Sequence, residues 1–410
     1  MKAVVLNLGC KVNQCECDSL IGKLRAMGYE VSDRLERADV YIINTCAVTK
    51  EAERKSRQYI GKVKKLNKSA KVYVIGCAAE KNAEQFECKD VTFISGTALK
   101  EDVLSFGDGV HVAPIPNEYE YMSEAEPTRA RHYVKIEDGC NNFCSYCIIP
   151  YLRGRVRSRS VDSILAECEK AAERTDEIVL TGINVTCYGH DIGTSLAELI
   201  LRLSSIPARI RLSSLEASII TTDFLDAIEK AGNVCPHFHL SLQSGCDAVL
   251  SAMSRHYTTA QYKEKVNMIR ARFPSAAITT DIIVGFPTET EDDFQTTLYF
   301  AREIAFSDIH VFPYSRRYGT AAYPLGALDP AILKDRTDRL LALKSELKRQ
   351  YESGFVGCEL EVVPETTDGM FAEGYSENYI RVYFPDRGVT IGRKVQVTAE
   401  GERADGLLAR

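Results

Sequence analysis

The stretch Cys140-Asn-Asn-Phe-Cys144-Ser-Tyr-Cys147 follows Gly139 and the apolar run 133–137, and its reading decides the fold. Three thiols so close together can wrap one metal centre. Iron–sulfur clusters are held by cysteine thiolates, and a cubane cluster has four irons to ligate. Three ligands leave one iron free to bind a small molecule. Gly139 leaves room for close backbone approach. Zinc would require a fourth Cys or His at matching spacing, and the chain has no second Cys-x-x-Cys.

Working outward, strand-like runs at 133–137, 177–181, 209–213, 237–242, 278–284 and 308–312 alternate with helical stretches at 161–174, 222–231, 260–273 and 291–304. Six such alternations predict a partial parallel (β/α)6 barrel, whose active site lies at the carboxyl ends of the strands. Upstream, runs at 2–8, 40–44 and 71–75 alternate with helices at 14–27 and 49–66, predicting an open parallel α/β sheet domain. Each of these strands runs into a turn with a cysteine: Cys10, Cys46 and Cys77. Ligands gather outside the carboxyl ends of parallel strands, so these three should converge despite their separation in sequence. The alternative is three buried free thiols.

The stretch 113–131, with Pro114, Pro116 and Pro127 among acidic residues, reads as a linker. A basic amphipathic helix at 330–351 closes the barrel series. Short runs at 359–363, 379–384 and 394–398 between Gly-rich turns predict a small antiparallel β-barrel. The α/β chain thus divides into 1–112, a linker 113–131, 132–349 and 350–410.

Composition agrees with an ordinary globular protein: 45% hydrophobic, 26% charged, net charge −6. No apolar stretch is long enough to cross a bilayer, and the start does not read as a signal peptide, so no membrane partner and a cytoplasmic location are expected. Fourteen cysteines in such a chain point to cluster ligation rather than a disulfide framework. Cys15, Cys17, Cys88, Cys168, Cys187, Cys235, Cys246 and Cys358 read as bystanders.

The run 140–159, ending Tyr151-Leu-Arg153-Gly-Arg155-Val-Arg157-Ser-Arg159, resembles the signature of the radical S-adenosylmethionine methylthiotransferases. The resemblance extends over essentially the whole chain. It includes Leu8-Gly9-Cys10-Lys11-Val12-Asn13-Gln14, Asn44-Thr45-Cys46, Gly76-Cys77-Ala78, Thr181-Gly182-Ile183-Asn184, Leu242-Gln243-Ser244-Gly245 and Asp281-Ile-Ile-Val-Gly-Phe-Pro287. It implies a central radical barrel with one [4Fe-4S] cluster on Cys140, Cys144 and Cys147. It also implies an auxiliary [4Fe-4S] cluster on Cys10, Cys46 and Cys77, and a terminal RNA-binding-type barrel called TRAM. Tyr146, Thr181, Gly182, Asn184, Ser213 and Gln243 are the implied or plausible S-adenosylmethionine contacts. The implied chemistry is a 5′-deoxyadenosyl radical that removes hydrogen from an unactivated carbon, followed by transfer of a methylthio group. A low-potential electron donor is required. His237 and His239 share a strand face, which reads as packed barrel interior rather than a metal site.

The substrate is expected to be tRNA, at its anticodon stem-loop. Arg153, Arg155, Arg157 and Arg159 lie beside the cluster loop, and residues 50–71 are strongly basic, as for a phosphate-binding surface or a solvated helix face. Tyr379 and Arg381 in the terminal segment offer stacking for exposed bases. That segment resembles the branch acting on N6-threonylcarbamoyladenosine at position 37. Its acidic balance keeps open an aspartate of a ribosomal protein as substrate, and isopentenyladenosine in tRNA is a further alternative. A non-catalytic, metal-containing RNA-binding protein is the reading from another class.

Overall fold

Runs of Val, Ile and Leu buried on both faces form the first sheet. The computed structural model describes residues 1–105 and 107–410, excluding the side chain of Leu104. Strands β1 (Lys2–Asn7), β2 (Glu30–Ser32), β3 (Val40–Thr45), β4 (Lys71–Gly76), β5 (Phe93–Ser95) and β6 (Gly109–His111) pair all-parallel in the order β2-β1-β3-β4-β5-β6. Alternate residues of β1 and β3 pack against opposite layers. Ala3, Val5, Val40 and Ile42 meet Leu20, Ile21 and Leu24 of the helix Lys11–Ala26. Val4, Leu6, Tyr41 and Ile43 meet Ile60 and Val63 of the helix Lys50–Leu66. Two-sided burial explains why these strands read as continuous apolar runs. The sequence did not reveal β2, β5 and β6, which are three residues each.

The second series comprises β7 (His132–Lys135), the short antiparallel pair β8 (Glu137–Asp138) and β9 (Arg157–Ser158), then β10 (Glu177–Thr181), β11 (Arg209–Leu212), β12 (His237–His239), β13 (Ala277–Val284) and β14 (Asp308–Pro313). Parallel pairing runs β7-β10-β11 and β12-β13-β14. Parallel bridges at Ile210–Val234 and Leu215–Leu240 join the two halves. Among the described residues β7 and β14 do not pair with each other, so the barrel is open along one side. Helices alternate with the strands, and one apolar core lies between the two layers.

The helix Pro330–Ser353 packs on β14 and leads to β15 (Glu359–Thr367), β16 (Phe371–Ser376), β17 (Arg381–Pro385), β18 (Val395–Arg403) and β19 (Gly406–Ala409). Their pairing order, β15-β16-β17-β19-β18, returns to its start. β16 and β19 are absent from the sequence reading, and the strand expected from residue 379 begins at Arg381. Among the described residues no helix is long and apolar enough to cross a membrane.

Two seams hold these parts together. Ile148 and Leu152, just past Cys147, are buried in the core of the first sheet. At the opposite end of the open barrel, Arg209 and Arg211 donate hydrogen bonds to the carbonyls of Glu361, Tyr375, Ser376 and Glu377 in the terminal sheet (2.7–3.0 Å). Glu177, wholly buried, accepts from both guanidinium groups.

Candidate functional site

The loop 139–147 lies at the carboxyl end of the barrel. Gly139 has φ +90°, and a Cβ there would stand 2.0 Å from the Arg155 carbonyl oxygen. Only glycine fits so close an approach. The Cys140 amide then donates to the Gly154 carbonyl (3.0 Å), and the Cys147 amide to that of Cys144 (2.9 Å). Phe143, at φ +48°, turns the chain between the first two cysteines. Burial pushes the Cys147 thiol up to about 12 and also raises that of Cys140. A guanidinium offsets part of the negative charge such thiolates carry: Arg255 Nη1 lies 3.3 Å from Cys144 Sγ and 3.1 Å from Glu216 Oε1. Sequence reasoning missed Arg255, which is 111 residues from Cys144 and belongs to no motif.

Cys10, Cys46 and Cys77 come from three strand ends. Cys10 is the N-cap of the helix Lys11–Ala26, which starts three residues earlier than the sequence reading had it. Cys46 follows β3, and Cys77 opens the short helix after β4. Gly76, at φ +97°, makes that last turn, and a Cβ there would meet Asn44 Oδ1 at 2.3 Å. Burial, reinforced by the neighbouring Cys77 and Cys10, pushes the Cys46 thiol up to about 12. The three thiols therefore sit within each other's electrostatic reach, as the strand-end placement predicts. Asn13 ties them: its amide donates to Asn44 Oδ1 (2.8 Å) and the Thr45 carbonyl (3.1 Å), and its oxygen accepts from Cys10 Sγ (3.2 Å). All fourteen cysteines are free. Two sets of three soft sulfur donors, each with a guanidinium alongside, fit iron–sulfur clusters.

Thr181 ends β10, and Gly182 follows it against the Glu137 carboxyl, where a Cβ would stand 2.1 Å from Oε1. Glu137 accepts from the Asn184 amide, its Oε2 has no partner among the described residues, and burial pushes it up to about 8. It too was missed from sequence, where it reads only as the end of a strand. Asn184 Nδ2 reaches Cys140 Sγ at 3.9 Å. Ser213 is buried, and its hydroxyl has no partner among the described residues. Gln243, at φ +73°, is held in that costly conformation by backbone bonds to Asp281 and Ile283. Gln243, Tyr146, Cys147, Asp281 and Phe312 line a cavity of about 210 Å³ roofed by Val48 and Thr49.

The arginine run is a correction. Arg153 and Arg157 are buried, not presented to a phosphate backbone. Arg153 donates to Cys77 Sγ (3.3 Å), Glu16 Oε1 (2.6 Å) and Asp138 Oδ2 (3.0 Å), so it bridges the second cysteine set and the root of the 139–147 loop. Arg157 donates to the carbonyls of Arg153 and Arg155. Arg159 pairs with Glu167 and leans on Ser163. Only Arg155 is exposed, over the Phe143 ring at 4.4 Å. Tyr379 is a second correction. It stacks between His237 (4.6 Å) and Tyr375 (4.8 Å) with the Arg211 guanidinium over its face, so its ring is already covered. Arg381 pairs with Glu373 and Asp405.

A hydrogen-bonded strip joins three of the barrel strands. Thr279 Oγ1 lies 3.0 Å from both His237 Nε2 and His239 Nδ1. Asp281 then lies 3.3 Å from His239 Nε2 and 3.2 Å from His310 Nδ1. His239, Asp281 and His310 could also hold a metal ion by geometry. The reading of His237 and His239 as barrel interior agrees with their burial.

A parallel barrel carrying a three-cysteine loop at its carboxyl end defines a radical S-adenosylmethionine protein. Residues 134–301 match the Radical SAM superfamily, and residues 2–96 match a family described only as uncharacterized, UPF0004. A threonylcarbamoyladenosine tRNA methylthiotransferase MtaB of Bacillus subtilis is 37% identical, covering 95% of this chain and 92% of that protein. The MtaB of Thermotoga maritima is 35% identical, covering 98% and 96%. A tRNA-2-methylthio-N(6)-dimethylallyladenosine synthase of Dictyoglomus thermophilum is 34% identical, covering 96% and 94%. The fold is also that of the radical S-adenosylmethionine methyltransferase TsrM of Kitasatospora setae, at TM-score 0.56 and 15% identity over 78% of this chain and 74% of that one. The chain belongs to the radical S-adenosylmethionine methylthiotransferase family.

Proposed function

We propose that this protein is a tRNA methylthiotransferase. It converts N6-threonylcarbamoyladenosine at position 37, in the anticodon stem-loop, to its 2-methylthio derivative. The observation that carries the reading is the pair of cysteine sets, one on a barrel loop and one on three strand ends, bridged by Arg153. Cys140, Cys144 and Cys147 would hold one [4Fe-4S] cluster, and Cys10, Cys46 and Cys77 the other. With S-adenosylmethionine, the clusters supply radical hydrogen abstraction and the sulfur that is inserted. The chain's own residues position and enclose. Arg255 and Arg153 compensate thiolate charge. Thr181, Gly182, Asn184, Ser213, Gln243 and Tyr146 would surround S-adenosylmethionine, and the unpartnered Ser213 hydroxyl and Glu137 Oε2 supply polar partners there. A low-potential donor delivers the electron.

For domains, we propose 1–112, the linker 113–131, the radical core 132–349 and a TRAM-type barrel 350–410. Lys55, Lys62, Lys65 and Lys68 are exposed on and just past the helix Lys50–Leu66, supporting contact with phosphates. Exposed Tyr151, Phe312 and Tyr318 offer faces for unstacked bases. A tRNA substrate puts the enzyme in the cytoplasm. Anaerobic reconstitution followed by nucleoside mass spectrometry tests the reading. The expected product is 2-methylthio-N6-threonylcarbamoyladenosine; unchanged levels of that nucleoside in a deletion strain would overturn it.

A further inference from the structure

Each cysteine set has one guanidinium on one of its sulfurs, but the charges behind the two differ. Arg153 donates to Cys77 Sγ and pairs with Glu16 and Asp138, carboxylates that also hold Lys100 and Lys135. Cations outnumber carboxylates there. At the loop the balance is one to one: Arg255 Nη1, 3.3 Å from Cys144 Sγ, pairs with Glu216 Oε1 at 3.1 Å. The Arg255 side chain is 6% exposed. Its Nε donates to the Tyr257 hydroxyl (3.2 Å) and its Nη2 to the Ser241 carbonyl (3.4 Å). Ser254, at φ +57°, makes the turn before it, a conformation that is costly outside glycine. The Ser145 amide and hydroxyl donate to the carbonyls of Met253 (3.0 Å) and Ala252 (2.8 Å). The segment carrying Arg255 is therefore stitched to the residue next to Cys144. Glu216 is fixed as firmly. It lies beyond the end of β11, its amide donates to Thr186 Oγ1 (2.8 Å), and its Oε1 also accepts from Asn142, between Cys140 and Cys144. One carboxylate thus clamps the loop and the guanidinium together.

We propose that Arg255 and Glu216 are positioning residues that set the reduction potential of the cluster on the 139–147 loop, in opposite directions. The inference rests on the cluster reading above. One electron from the low-potential donor adds a unit of negative charge to the cluster; no bond forms or breaks, and no proton moves. A hydrogen bond to a cluster sulfur and an adjacent cation favour that added charge, whereas an adjacent carboxylate opposes it. Arg255 therefore makes the loop cluster easier to reduce, and Glu216 makes it harder. Because the pair is largely shielded from water, salt does little to screen either effect. The cation excess beside Cys77 has no such counterweight.

The test is a potentiometric titration, followed by electron paramagnetic resonance, of reconstituted Cys46→Ala protein, in which only the loop cluster remains. It is run without S-adenosylmethionine. Glu216→Gln keeps an acceptor for Arg255 and Asn142 and removes only the charge. At a fixed potential it should raise the ratio of reduced to oxidised cluster roughly tenfold. Arg255→Met should lower that ratio by a similar factor, and the double variant should return close to the parent. Opposite signs separate tuning from general damage, which would move both variants the same way. If Arg255→Met assembles no cluster, Glu216→Gln decides alone. A ratio unchanged or lowered in Glu216→Gln would overturn the inference. An unchanged ratio in Arg255→Met would also overturn it, and weaker binding of S-adenosylmethionine by that variant would then give the guanidinium to the methionine carboxylate. A parent protein with no reducible cluster would instead overturn the reading on which the inference rests.

Discussion

Cys140, Cys144 and Cys147 lie on one short loop, whereas Cys10, Cys46 and Cys77 arrive from three parallel strands. The first set is made by local backbone geometry: Gly139 at φ +90°, Phe143 at φ +48°, and hydrogen bonds from backbone amides within the loop and to the Gly154 carbonyl. The second is made by topology. Its members converge because β1, β3 and β4 are adjacent and in parallel register, with Leu6 opposite Ile43 and Ile43 opposite Val74. A local site survives as long as its loop does. A topological site exists only while the sheet is folded, so its ligands and its stability are linked.

The largest expected effect separates the two sets by function. Cys140→Ala should abolish both 5′-deoxyadenosine formation and the methylthio product. Cys46→Ala should abolish the product while 5′-deoxyadenosine still forms. Each should lower iron from about eight to about four per chain after anaerobic reconstitution. Identical losses in the two variants would erase the functional distinction. Next in size is the bridge between them. Arg153→Leu removes a wholly buried guanidinium and leaves Glu16 and Asp138 with less compensation. The expected loss is about 3–5 kcal/mol of folding stability, read by chemical denaturation. A loss below about 1 kcal/mol would mean that the two sets are not coupled through this residue.

The smallest effect is in the pH dependence near the loop. Burial, with Asp138 alongside, pushes Glu137 up to about 8. The folded state thus keeps a proton that the unfolded chain releases at the ordinary glutamate value. Stability contributed by this group is full at low pH and falls as pH rises through about 8. Glu137→Gln should flatten the decline between about pH 4.5 and pH 8 in denaturation curves. An unchanged slope would indicate that Glu137 is ionised in the folded protein.

Much of this was legible because the long strands are buried on both faces and leave uninterrupted apolar runs. β1, β3 and β4 show this, as do the alternations of the second series. The three-residue β2, β5 and β6 carry too little pattern to register. β16 alternates, but Gly374 lies close against the Val363 carbonyl in its middle, and glycine reads as a turn. The cysteine sets were legible for the same two reasons that build them, spacing and strand ends. The arginine run misled because a charge in sequence does not state its burial. Its partners Glu16, Asp138 and Glu167 include one from a helix 137 residues away. Arg255 was invisible for the same reason.

The placement of Ile148 and Leu152 has a consequence for how such proteins can be rearranged. The loop that carries one cysteine set continues straight into the hydrophobic core of the first sheet. A chimera joined within 113–131 would bring a foreign first sheet against these two side chains, with no surface shaped to receive them. Recombination between relatives should therefore succeed when the exchanged segment extends past Arg153, and the evolutionary unit of this enzyme is larger than its first sheet.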